Sequence, residues 1–137
     1  ARQIHQDNPT ASPLQFLGGD YHKDDLPGDQ DIILYCGAAH QELPGQLPEL
    51  FSRVRSALNP EGSFILVDLL LDDDRSTPVY SALFDLNMRL MRPSSHVHTV
   101  SGIEKAMTDA GFSPRRSGDV PDTPYRFVEA TLNQDSL

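Results

Sequence analysis

The sequence predicts an α/β fold: parallel strands flanked by helices, ending in an antiparallel pair. Three observations predict it. Asp31–Cys36 and Ser63–Val67 are nearly continuous apolar runs, the pattern of strands covered on both faces of a parallel sheet. Between them, Leu47, Leu50, Phe51, Val54, Ala57 and Leu58 recur at the spacing of a helix with one buried face. Asn59-Pro60-Glu61-Gly62 then ends that helix with turn chemistry. Strand, helix and strand with short connections make a right-handed βαβ crossover.

The remaining elements follow in order. Leu14–Asp20 reads as a shorter strand ending in a glycine turn, and Thr77-Pro78 as a helix start. That helix runs to about Met91, where Arg92-Pro93 stops it. Another begins at Thr99 or Ser101, and Ser101 and Glu104 have capping-box spacing. Its apolar face is Ile103, Ala106, Met107 and Ala110, and Gly111 suits the left-handed position beyond its end. Turns between Ser113 and Leu132 surround Tyr125–Val128 and predict a terminal strand pair.

Size and charge narrow the function. A length of 137 residues fits one domain or part of one and can bury a core without a metal or disulfide staple. The net charge of −9 repels nucleic-acid phosphates and anionic membrane surfaces, so neither partner is expected. Cys36 is the single cysteine; it rules out an internal disulfide and is expected to be a small core residue at a buried strand end. No apolar run is long enough to cross a bilayer and the opening residues lack a signal-peptide core, which makes a cytoplasmic location the expectation. Asp72, Asp73 and Asp74 point in different directions along a loop, and His96 and His98 lack a third ligand, so no metal site is expected.

Several short motifs occur in a telling order: Gly19-Asp20-Tyr21, Leu26-Pro27, Asp31–Leu34 leading to His40, Arg53–Leu58 before Asn59-Pro60-Glu61-Gly62, Ile65–Asp68, Leu86-Asn87-Met88 and Ala110-Gly111-Phe112. In them the chain resembles, from about Leu14 onward, the S-adenosylmethionine-dependent O-methyltransferases of small hydroxylated molecules. These include caffeate, acetylserotonin and polyketide-tailoring enzymes. The resemblance implies a partial Rossmann-like class I methyltransferase fold, with residues 1–137 as the C-terminal portion of the catalytic domain. The family's first strands, its glycine-rich cofactor turn and its helical dimerisation region have no counterpart in this sequence. A longer polypeptide or a complementary one is therefore expected, as is a homodimer formed through a region outside this chain.

The resemblance also assigns roles. S-adenosylmethionine is the implied cofactor, and the implied partner is a small hydroxylated acceptor of aromatic or polyketide type. His40 falls on the general base; it follows a buried strand at the carboxyl end of the sheet, where open α/β folds build sites. Asp20 and Tyr21 fall on the adenine contacts and Asn87 and Met88 on the acceptor pocket, while Gly37, with Ala38 and Ala39, is small and either leaves space beside the cofactor or permits close packing. A turn role for Asp20 and a plain packing role for Asn87 and Met88 remain open. The pattern departs at Gln41 and Glu42, where the family carries an aspartate and a tryptophan. The family's glutamate before an Arg-Thr pair falls on Val97 or His96, so His40 is expected to lack an orienting carboxylate. The alternative expectation is a catalytically inactive remnant that serves as a scaffold.

Overall fold

The computed structural model describes residues 15–133. Four strands and three α-helices follow one another as β1 (Gln30–Cys36), α1 (Leu47–Ala57), β2 (Leu58–Asp68), α2 (Val79–Met91), α3 (Val100–Asp109), β3 (Phe112–Asp119) and β4 (Arg126–Leu132). The strands form one sheet in the order β1-β2-β4-β3. β1 and β2 run parallel, joined by α1, so the predicted crossover is present. β4 pairs antiparallel with both β2 and β3, which is the predicted terminal pair. Pro114 sits in β3, an edge strand, where a missing backbone donor costs no ladder bond on the open side.

The core lies on one face of this sheet. Phe64 and Leu66 of β2 alternate inward with Val128 and Ala130 of β4, and the register sets Phe64 opposite Ala130 and Leu66 opposite Val128. Leu47, Leu50, Phe51 and Val54 of α1 and Ile103 and Met107 of α3 close over them. Phe64 meets Phe51 edge-on at 5.2 Å and Phe112 at 5.5 Å between ring centres. Gly111 has φ +86°, the left-handed position expected beyond α3.

Four local expectations are corrected. Residues 15–20 form no strand, because no neighbouring strand among the described residues offers them a ladder; Leu14 lies outside the described residues. β1 is not covered on both faces: Ile33 and Tyr35 turn toward the core, whereas Ile32, Leu34 and Cys36 are exposed. No described helix covers that outer face, so Cys36 is a surface thiol and not a core residue. The capping-box spacing at Ser101 and Glu104 is not used. Thr99 is the N-cap, its hydroxyl accepting from the Gly102 N–H at 3.0 Å, and Ser101 and Glu104 bond elsewhere. Pro78 stands one position before the first turn of α2, not within it.

Candidate functional site

The carboxyl ends of β1 and β2 lie side by side, with Cys36 opposite Val67. Just beyond β1, Gly37 adopts φ +66°, a conformation glycine takes without strain, and its N–H donates to the Val67 carbonyl at 2.8 Å. A single 3₁₀ turn, Ala39–Gln41, follows and carries His40. Just beyond the last apolar residue of β2 stands Asp68, which is 1 % exposed. The two side chains meet. His40 Nδ1 is 3.0 Å from Asp68 Oδ1 and 3.2 Å from Oδ2, and the His40 backbone N–H donates to Oδ2 at 2.9 Å. The Leu69 N–H donates to Oδ1 at 2.8 Å.

The carboxylate assigns the hydrogen on the facing ring nitrogen. Carboxylate oxygens accept, so Nδ1 of His40 carries a hydrogen and donates it to Asp68, and in the neutral ring the lone pair then falls on Nε2. The expectation that His40 lacks an orienting carboxylate is thereby corrected: Asp68 supplies it from the end of the adjacent parallel strand. Val97, one of the positions considered for that carboxylate, is fully buried, so its side chain belongs to the packing. The other, His96, donates its backbone N–H to the His40 carbonyl at 3.0 Å.

α2 forms the opposite wall. The ring of Phe84 meets the His40 imidazole edge-on, 5.1 Å between centres at 88°. Asn87 and Met88 lie three and four residues further on and share that side of the helix; Asn87 is exposed and Met88 half-buried. Asp85 fixes the helix against the loop before α3. It accepts from Arg89 Nε at 3.0 Å, Arg75 Nη2 at 3.2 Å and the Val97 N–H at 3.2 Å. Partial burial raises the Asp85 pKa, but these donors outweigh it and hold the carboxyl below the usual range.

Asp20 and Tyr21 stand on another side of the His40 turn. Asp20 opens a tight turn: its carboxylate accepts from the His22 N–H at 3.0 Å and pairs with Lys23 at 3.2 Å, both of which lower its pKa. The turn role left open for Asp20 is thus present in the structure. The Tyr21 hydroxyl donates to Glu42 Oε1 at 2.9 Å, and the Tyr35 hydroxyl lies 3.4 Å from the same oxygen. Burial, with the neighbouring carboxylate, raises the pKa of Tyr21. Glu42 itself is buried, with His22 Nε2 3.4 Å away.

Asp68, Glu42, His98 and Phe84 are the site residues that sequence reasoning missed. Asp68 had a usable signal, because a βαβ crossover brings the residues after its two strands together. Among the described residues no cluster of histidine, cysteine and carboxylate side chains has metal-holding geometry. Asp72, Asp73 and Asp74 are instead engaged by Arg126 with Thr77, by Ser101, and by Ser76 with Thr77 respectively.

Comparison with known proteins decides the family. The model of the O-methyltransferase domain matches residues 1–113. The chain belongs to the O-methyltransferase domain family. It is 33 % identical over 116 residues to the tetracenomycin polyketide synthesis 8-O-methyl transferase TcmO of Streptomyces glaucescens, covering 83 % of this chain and 34 % of that protein. Human acetylserotonin O-methyltransferase is 29 % identical over 99 residues, covering 72 % and 28 %. The crystal structure of human N-acetylserotonin methyltransferase in complex with SAM superposes with a TM-score of 0.78 at 25 % identity, covering 94 % of this chain and 36 % of that one. A crystal structure from Nostoc punctiforme superposes with a TM-score of 0.86 at 25 % identity, covering 95 % of this chain and 40 % of that one. The fold is therefore the Rossmann-like class I methyltransferase fold in part, and this O-methyltransferase-family chain spans about a third of the length of the curated relatives it matches.

Proposed function

We propose that this chain is the catalytic-base portion of an S-adenosylmethionine-dependent O-methyltransferase acting on a hydroxyl of a small aromatic or polyketide-like acceptor. The observation that carries the proposal is the His40–Asp68 pair at the carboxyl ends of two parallel strands. Family membership and the relatives' names support the acceptor class; human acetylserotonin O-methyltransferase and TcmO both act on small molecules of that kind by name.

The residues present fit an adenosyl group at the rim beside β1. Nothing lies within 4 Å of where a Cβ on Gly37 would stand, so a ligand can approach the backbone there. The Tyr21 ring is partly exposed, anchored by its hydroxyl on Glu42, and can cover a base face. S-adenosylmethionine, when bound, supplies a methyl group already activated on a sulfonium. What the chain must then do is remove one proton. His40 takes the acceptor's hydroxyl proton on Nε2, and Asp68 holds the ring by Nδ1 and stabilises the imidazolium that results. Asn87 and Met88, on the side of α2 that meets His40, shape the acceptor site. One ground for the scaffold alternative was the missing carboxylate, and Asp68 removes it.

The test uses the full polypeptide that carries this chain. Transfer is followed as S-adenosylhomocysteine released with a panel of hydroxylated aromatics, N-acetylserotonin among them. Replacing His40 by Ala, or Asp68 by Asn, should lower transfer by roughly 10²–10⁴-fold while S-adenosylhomocysteine binding by calorimetry is retained. Undiminished turnover in His40→Ala would remove the base assignment. Absence of any S-adenosylhomocysteine binding by the unsubstituted protein would remove the cofactor.

A further inference from the structure

His98 lies in the loop before α3 and is 4 % exposed. Its Nε2 is 3.0 Å from the Ala39 carbonyl and 2.9 Å from the Glu42 carbonyl. Carbonyl oxygens only accept, so Nε2 carries a hydrogen shared between both. Those carbonyls stand at the two ends of the single turn that holds His40. Around it, His40 is bound to Asp68 through its N–H and Nδ1 and to His96 through its carbonyl. An imidazole suits the task because it is short, stiff and offers one N–H at a fixed place. Burial pushes its pKa below the ordinary 6.5, against the two backbone carbonyls and Asp68, which raise it, and with Arg75, which lowers it. The tilted ring of His96 lies 4.9 Å away.

We infer that His98 is a positioning residue for the base: by donating Nε2–H to the Ala39 and Glu42 carbonyls, it sets the turn on which His40 presents Nδ1 to Asp68 and keeps Nε2 free. The inference rests on His40 acting as the base, and its test is separate from turnover. In the full polypeptide, nitrogen NMR of the imidazoles near neutral pH reads which ring nitrogen carries the proton. The unsubstituted protein should show His98 as the Nε2–H form and His40 as the Nδ1–H form. His98→Leu fills the space without a donor; it should lower the Nδ1–H to Nε2–H ratio of His40 by about tenfold, the worth of one ordinary hydrogen bond. His98→Gln, whose amide reaches the Nε2 position, should restore the ratio to within about threefold. S-adenosylhomocysteine affinity should stay unchanged in both.

An unaltered His40 ratio in a folded His98→Leu protein overturns the inference. So does a His98 proton found on Nδ1 in the unsubstituted protein, a measurement that needs no variant to fold. A folded His98→Gln protein whose His40 ratio drops as far as that of His98→Leu also overturns it. Failure of His40→Ala to slow transfer would strike the proposed function and leave these tautomer results intact.

Discussion

Three histidines meet at one short turn with different fates. His40 bonds a carboxylate, His98 bonds two carbonyls, and His96 lends only its backbone. Both His96 and His98 are pushed below the ordinary 6.5, burial being the largest cause for each. The sign of the linkage follows. Below 6.5 the unfolded chain takes up protons on these rings while the folded chain resists, so the unfolded state binds more protons and stability rises with pH. Stability should therefore fall as pH drops from 6.5 toward the lowered folded values and level off beneath them. Denaturant titrations across that window should show this slope, reduced in His98→Gln, which has no ring to protonate. The same slope in both proteins would mean that His98 does not titrate there. The carboxylates held low, Asp85 among them, act in a more acidic window and leave this one clear.

At the scale of elements, the crossover was legible because its signals are local. The apolar face of α1 and the one-faced α3 follow from spacing alone, and both helices form over nearly the predicted residues. Asp68 was visible as the residue closing an apolar strand, but its partner is 28 positions away, and only pairing of the strands puts the two together. β1 misled for the opposite reason: its composition is that of a strand with two covered faces, and the described chain covers one. The junction of α1 and β2 shows how tightly the crossover is drawn. The ladder jumps from Gln30↔Leu58 to Ile32↔Ser63, so residues 59–62 loop out of it. A Cβ on Gly62 would stand 2.8 Å from Leu58 Cδ2, 2.9 Å from the Gln30 carbonyl and 3.0 Å from the Asn59 carbonyl. Two of these neighbours are backbone and cannot yield. Gly62→Ala should cost about 1–3 kcal/mol by chemical denaturation. Gly45→Ala, with nothing within 4 Å, is the matched control. Equal midpoints for the two would show that the loop gives way.

For the molecule as a whole, the open β1 edge of the described sheet dominates. Ile32 is 63 % exposed and Leu34 62 %, side by side on the outer face of an edge strand whose far side has no ladder partner among the described residues. On α2, Leu83, Leu86, Leu90 and Met91 are exposed as well. No described helix is long and apolar enough to cross a membrane. Open strand edges with apolar faces favour self-association. The 137-residue chain on its own should therefore associate as its concentration rises, as followed by sedimentation velocity. Ile32→Thr combined with Leu34→Thr keeps strand propensity and should suppress that association. A concentration-independent monomer in the unsubstituted chain would show that the edge is shielded.

The parallel register of β1 and β2 also bears on which sequence changes the site can absorb. Along a strand the side chains alternate between faces, so sliding β2 by one residue against β1 would turn Asp68 to the opposite face and part it from His40. The odd-or-even count from the ladder to Asp68 is thus as much a part of the site as the two side chains themselves.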